Sequence, residues 1–275
     1  LTIEPGTIIK GAEGTGASAS ALIVARGAKI NAIGTAANPI IFTSTLDNIV
    51  VGEQSGSNLD EGDAGKWGGV LILGNAKISA KVGDAEAQIE GIPADETYGK
   101  YGGSDDSDNS GTLKYVSIRH GGALIGEGNE INGLTLGGVG NGTSISFIEI
   151  VSNLDDGIEC FGGSVNLESV LSAYQGDDGF DIDQNYSGTF NNSIVVYNNN
   201  GDEFLEIDGP ENATYSAGMF TISNSTFISK TADGTVDLKS KAQGVIKDCK
   251  FTGLVDVKVS ASYESDCLTS KTDAY

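Results

Sequence analysis

The chain has 275 residues, with 16 Lys or Arg against 38 Asp or Glu, and a formal net charge of -22. This acidity excludes a nucleic-acid binder, which needs a basic surface facing phosphate, and no apolar run is long enough to span a bilayer. The single His excludes catalytic and metal sites that need two imidazoles.

Short β-strands are predicted along the whole chain. Brief apolar runs alternate with Gly, Asn, Asp and Ser, which is the pattern of an all-β fold. Almost no segment shows the apolar spacing of a helix. The predicted strands include residues 1–4, 21–25, 40–44, 69–73, 113–118, 144–150, 193–197 and 219–223.

Three acidic segments repeat in the second half of the chain, at residues 153–160, 175–183 and 200–208. A repeat of roughly 20 to 30 residues that holds several short strands is typical of a solenoid. We therefore predict an all-β, right-handed parallel β-helix of about ten coils, with a β-sandwich as the alternative. The single domain, residues 1–275, would have N-terminal coils at 1–82, an inserted loop at 83–111, and central and C-terminal coils at 112–275.

Several single residues have structural interpretations. Cys160 is predicted to be a small buried side chain, whereas Cys249 and Cys267 would form a disulfide in an oxidising compartment. Trp67 lies between glycines at the start of a strand, which favours corner packing over a sugar platform. His120 is predicted to be a corner or surface residue.

Five segments resemble coils of secreted or cell-surface bacterial right-handed parallel β-helix proteins, as found in Bacteroidetes and marine bacteria. They are residues 1–9, 21–30, 39–44, 67–74 and 155–163. The resemblance implies the pectate-lyase-like superfold and an extracellular or cell-surface location, with a signal peptide removed. That superfold includes polysaccharide lyases, hydrolases and adhesins, and a fold alone does not choose among them.

An acidic ladder is the strongest chemical feature of the sequence. Because side chains alternate along a strand, the repeats place Ile158, Phe180 and Leu205 in the core, with acids facing the other way. Eleven carboxylates thereby fall on three successive coils: Asp155, Asp156, Glu159, Asp177, Asp178, Asp181, Asp183, Asp202, Glu203, Glu206 and Asp208.

The negative charge of this ladder must be compensated. Two carboxylates near 5 Å repel by roughly 3 kcal/mol at an effective dielectric constant of 20. The sequence has no Lys or Arg between Arg119 and Lys230, so we expect the balance to come from bound cations, added protons or a solvated face. Ca²⁺ is preferred because it takes six to eight oxygen ligands. A weaker second Ca²⁺ site is predicted at Asp106, Asp108 and Ser110.

Three function classes follow. The first is an extracellular, Ca²⁺-stabilised module that binds glycans or a cell surface, or serves in adhesion. The second is a glycan-cleaving enzyme, since Asp156, Asp177, Asp178 and Asp181 are similar to the acid cluster of polygalacturonase-type inverting hydrolases. The Gly-His-Gly and Arg-x-Lys elements of that family are absent from this sequence. The third is a subunit that associates end to end through open β-helix ends.

Overall fold

The computed structural model describes residues 1–81, 85–126, 129–198, 201–211 and 215–259, which contain 25 strands, two short 3-10 turns and no α-helix. The turns are Gly16–Ser18 and Thr97–Gly99. The strands are β1 (Thr2–Ile3), β2 (Ile8–Gly11), β3 (Leu22–Val24), β4 (Ile30–Ile33), β5 (Ile40–Ser44), β6 (Val70–Leu73), β7 (Ala87–Gln88), β8 (Lys100–Tyr101), β9 (Gly111–Arg119), β10 (Leu124–Gly126), β11 (Asn129–Glu130), β12 (Leu134–Gly137), β13 (Ser144–Val151), β14 (Ile158–Phe161), β15 (Asn166–Ala173), β16 (Phe180–Asp183), β17 (Thr189–Asn191), β18 (Ile194–Tyr197), β19 (Leu205–Ile207), β20 (Phe220–Ser223), β21 (Thr226–Ser229), β22 (Gly234–Leu238), β23 (Gly244–Lys247), β24 (Lys250–Thr252) and β25 (Leu254–Val259).

Two long parallel sheets enclose the core. The first sheet has 13 strands along the path β1-β4-β9-β13-β15-β17-β20-β23, with β2, β5, β18, β21 and β24 beside that path. The second sheet has eight strands in the order β25-β22-β19-β16-β14-β12-β6-β3. Each coil gives the second sheet one strand, so the described residues form eight coils, where about ten were expected for the whole chain. The architecture is the right-handed parallel β-helix predicted from the sequence.

The side chains predicted to face inward fill the core. Register pairs Ile158 with Phe180 and Phe180 with Leu205, one coil after another. All three side chains are fully buried, as are Cys160 and Ile182. Burying a large apolar side chain contributes about 1.5–3 kcal/mol, so these stacked rows supply the main stabilisation of each coil. The alternation read from the sequence is thereby confirmed.

The connections differ most from a plain solenoid between β5 and β9. Residues 74–110 lie between β6 and β9 and contain the antiparallel pair β7–β8. Residues 45–69, between β5 and β6, form a second long connection that the sequence analysis did not predict. The segment 74–110 covers part of the outer face of the second sheet, where Leu71 and Leu73 pack with Ile78 and Tyr101. The segment therefore shields part of that face from solvent.

The last described coil contains a cavity. An apolar cavity of about 430 Å³ is lined there by Phe251, Leu254 and Val257. At the other end Leu1 is 64% exposed. Neither of the two 3-10 turns in the described residues has the length or apolar character of a membrane span.

Candidate functional site

The acidic residues of the three repeats form a column on the outer face of the second sheet. Glu159 is in register with Asp181, and Asp181 is in register with Glu206. Adjacent strands lie about 4.8 Å apart, so these side chains are neighbours along the helix axis. On the same strands, Phe161 is in register with Asp183. The repeat spacing in the sequence thus produces the spatial arrangement expected from it.

The Asp-Asp-Gly corners have a structural role of their own. The Asp156 Oδ1 atom accepts a hydrogen bond of 2.9 Å from the backbone N–H of Asp178. Asp178 Oδ1 accepts one of 2.7 Å from the backbone N–H of Glu203. A Cβ atom at Gly157 would lie 2.1 Å from Ser172 Oγ, so only Gly fits there. In both Asp-Asp-Gly corners, one oxygen of the second Asp therefore accepts a hydrogen bond from the backbone of the next coil. The other oxygen of that Asp is left for a different partner.

Eight of the eleven carboxylates come together in three groups, of which the first two share Asp156. Within a group, one oxygen from each residue lies within 4.8 Å of the others. Asp183, Asp202 and Asp208 are outside these groups. The first group is Asp155, Asp156 and Asp177; the second group is Asp156, Glu159 and Asp181; and the third group is Asp178, Glu203 and Glu206.

These groups are more buried than a solvated acidic face would be. Glu159 is 7% exposed and Glu203 is 2% exposed. Burial, reinforced by neighbouring carboxylates, raises the pKa of Asp156, Glu159 and Asp181. Burial also raises the pKa of Asp155, in the first group, and of Asp183, outside the groups, to about 7. Without a counter-ion, the charged form of this site is therefore costly.

The expectation that bound cations, added protons or solvent would balance the ladder is wrong for the third group. Lys239 forms an ion pair with Glu206, and Lys258 forms one with Glu203. In the register of the second sheet, Glu206 pairs with Asp237, and Asp237 pairs with Lys258. The β-helix brings the lysines of later coils back to the ladder, which proximity in sequence did not reveal.

Asn132 belongs to the site and was missed. It is 2% exposed, and its Nδ2 atom donates a hydrogen bond to Glu159. Its Oδ1 atom is buried without a hydrogen-bond partner, and so is Asp181 Oδ1. Because β12 pairs with β14 from Leu134 and Ile158 onward, Asn132 stands one coil before Asp156. The Asn-Gly pair at 132–133, matching Asp-Gly at 156–157, was the available signal.

The weaker candidate site uses its oxygens within the protein. Asp106 forms an ion pair with Lys77. Asp108 is buried, and its Oδ1 atom accepts a hydrogen bond of 3.0 Å from Asn75. Ser110 Oγ donates one of 3.1 Å to the other oxygen of Asp108. These three residues therefore make contacts within the segment 74–110.

Three other predicted residues have packing roles. Trp67 is 2% exposed, stacks on Phe42 at a centroid distance of 6.5 Å, and donates from Nε1 to the Arg119 carbonyl. His120 occupies a buried corner with φ of 59°. Cys160 is fully buried. All three lie where the structural interpretation of the sequence placed them.

The predicted disulfide stays a prediction. Cys249 is a half-buried free thiol, and it lines the open cavity at the last described coil. Its predicted partner, Cys267, lies outside the described residues.

A polar cleft of about 490 Å³ lies beside the ladder. Its wall includes Tyr101, whose hydroxyl donates a hydrogen bond of 3.1 Å to Gln184, the residue after Asp183. Lys81 and Lys100 also line it, and the buried Gln88 Oε1 atom has no hydrogen-bond partner. Tyr101 is itself buried, so the cleft offers charges of both signs and amide groups next to the carboxylates.

The fold agrees with one comparison to known proteins. A family model described as a pectate-lyase-like β-helix domain matches residues 1–270. No curated protein and no solved structure matches the chain significantly.

Proposed function

Because the chain belongs to the family of pectate-lyase-like β-helix domains, we propose that it is an extracellular glycan-binding module stabilised by Ca²⁺. The ions would bind at the first and second groups of the ladder, and the glycan would bind in the neighbouring polar cleft. The observation that carries this proposal is the pair of buried oxygens without hydrogen-bond partners, Asn132 Oδ1 and Asp181 Oδ1.

The second group fits a hard cation. Asp156, Glu159 and Asp181 offer clustered carboxylate oxygens, and Asn132 adds an amide oxygen beside Glu159. Ca²⁺ takes such oxygens at about 2.3–2.6 Å and completes its shell with backbone carbonyls or water. A bound ion would satisfy the two unpaired oxygens and offset the repulsion within the group. Neither His nor Cys belongs to the group, as expected for calcium rather than zinc or copper.

The same distances favour ion binding over inverting hydrolysis. Inverting glycosidases hold their two carboxyl groups roughly 6.5–9.5 Å apart to leave room for a water molecule. Here Asp156 and Asp181 approach within 4.8 Å through one oxygen each. One oxygen of Asp178 is also committed to the Glu203 backbone. This spacing supports a ligand shared between the carboxylates.

The cleft supplies the glycan part of the proposal. Ligand sites are concave and place a few polar groups around the ligand. Glu211, Lys81 and Lys100 provide such groups at the surface of the cleft, and the two lysines would attract acidic sugars. Asp181 of the second group is three residues before Gln184 in the wall of the cleft, so an ion on the ladder and a sugar in the cleft would lie near each other.

A thermal unfolding experiment tests the cation part. Calcium at 100 times its dissociation constant adds about 2.7 kcal/mol of stability, which raises the melting midpoint of a protein this size by about 5–10 °C over its value in EDTA. Mg²⁺ at the same concentration is the control and should give a smaller rise. Equal midpoints in Ca²⁺ and EDTA would remove the cation from the proposal.

A glycan panel tests the binding part. Neutral and uronic oligosaccharides are titrated with and without Ca²⁺, and release of reducing ends is measured in the same samples. We expect binding without cleavage, weakened by Lys100→Ala and unchanged in a matched Lys241→Ala control. Release of reducing ends that Asp178→Asn abolishes would establish the hydrolase instead.

A further inference from the structure

The three carboxylate groups of the ladder have different counter-ions. In the third group, Glu203 pairs with Lys258 and Glu206 pairs with Lys239. Within the described residues, no Lys or Arg forms an ion pair with Asp155, Asp156, Asp177, Glu159 or Asp181, the members of the first two groups. The ladder is thus neutralised at one end only.

We propose that Lys239 and Lys258 are built-in counter-ions that close the third group to divalent cations. This inference rests on the proposed cation site, and it adds that ions enter only the first two groups. The two ammonium groups bring two positive charges to three carboxylates, which is the charge that one divalent cation would otherwise supply. An incoming ion would have to displace both of them.

Strand pairing and a backbone hydrogen bond hold Lys258 and Lys239 beside the third group. Lys258 lies on β25, in register with Asp237 on β22. Strand pairing therefore fixes the backbone position from which the Lys258 side chain reaches Glu203. The backbone N–H of Lys239 donates a hydrogen bond of 2.8 Å to the Ile207 carbonyl, which anchors the residue beside Glu206. The hydrogen bond with Glu203 raises the pKa of Lys258, so the ammonium form persists at neutral pH.

The second and third groups differ in whether their oxygens have partners, and this difference supports a cation as the ligand of the second group. Asp181 Oδ1 and Asn132 Oδ1 are buried there without partners, whereas the Glu203 and Glu206 carboxylates have ammonium partners in the third group. The groups have the same chemistry and spacing but differ in whether a cation is already present. Removing the lysines should therefore convert the third group into a site like the second.

The test is calorimetric titration of Ca²⁺ into the wild-type protein and into a Lys239→Met/Lys258→Met variant, each first stripped with EDTA. Met keeps much of the length and apolar character of the Lys stem without its charge. We expect the variant to bind one more Ca²⁺ per chain than the wild type. Its melting midpoint in EDTA should fall by about 5 °C or more, and Ca²⁺ should restore it.

Matched variants separate this effect from a general loss of charge. Lys241→Met removes a lysine whose ammonium group contacts only the Pro210 carbonyl in the described structure, and it should leave the stoichiometry unchanged. Lys239→Arg keeps the positive charge and should also keep the wild-type count. If the double variant is unstable without calcium, a Lys239→Gln/Lys258→Gln variant, which removes both charges but keeps a hydrogen-bond donor on each side chain, serves for the titration.

The outcomes distinguish the two proposals. An unchanged Ca²⁺ count in the double variant, with wild-type binding intact, overturns the assignment of the lysines but leaves the cation site standing. A wild type that binds no Ca²⁺ overturns the proposed function. In that case, a variant that gains a single ion would still support the lysine assignment, and a variant that gains none would overturn it as well.

Discussion

Replacing Asp181 by Asn should change stability in opposite directions with and without calcium. Asp181 lies between Glu159 and Glu206 in the column, and its Oδ1 atom is buried without a partner. Asn has nearly the same shape, carries no charge and offers donors to the neighbouring carboxylates. The substitution therefore removes repulsion while keeping the packing.

The magnitude follows from the spacing. Two unit charges about 5 Å apart repel by roughly 3 kcal/mol at an effective dielectric constant of 20. The Glu206 contribution is largely offset by Lys239, so repulsion from Asp183 and Glu159 dominates. We expect Asp181→Asn to raise the free energy of unfolding by about 1–3 kcal/mol in EDTA at pH 8. In saturating Ca²⁺ the variant should instead be less stable than the wild type, because it has lost a ligand.

The assay is urea unfolding followed by tryptophan fluorescence from the buried Trp67, in EDTA and in Ca²⁺. Asp256→Asn, at an exposed position on β25, is the matched control and should change stability little in either buffer. A variant that is destabilised equally in both buffers would show that Asp181 has only a packing role. A variant whose response to calcium equals that of the wild type would refute its assignment as a ligand.

Three further predictions concern proton binding and the core. In EDTA, the stability contributed by Asp155 and Asp183 should be fully present below their ordinary pKa of 3.8 and lost as pH rises through about 7, because the folded state raises both values. Melting midpoints from pH 4 to 8 should fall in EDTA and fall less in Ca²⁺; a rise with pH would contradict the burial argument. The Cys160 thiol should react with a disulfide reagent only after unfolding, since burial encloses it and raises its pKa; thiol counts before and after denaturant check this. Ile182→Ala should lower the free energy of unfolding by about 2–5 kcal/mol, while Ile194→Ala, at a position 43% exposed, should cost much less; similar losses by urea unfolding would contradict the assigned core.

Local patterns were enough to predict the coils and the column. Side chains alternate strictly along a strand, and parallel strands stack in register, so repeats of apolar and acidic residues have one geometric solution. For that reason Ile158, Phe180 and Leu205 could be placed in the core before the structure was known. Their positions are confirmed by the register and the burial of these residues.

The surroundings of the column could not be read in the same way. Lys258 is 52 residues from Glu206 in the chain but two strands from it in the sheet. The burial of the ladder depends on how the long connections fold back over the second sheet, which no repeat specifies. The repeat pattern did not reveal Asn132, because an Asn stands there where the following coils have an acidic residue.

The sequence by itself determined the parallel β-helix, its core rows and the stacking of the acids, because each depends on short-range periodicity repeated from coil to coil. Only the tertiary structure decided which acids are buried, which are paired with lysines and which oxygens are left without partners. Charge balance in a solenoid is set between coils and between a sheet and the loops that cover it, where residues distant in the chain become neighbours.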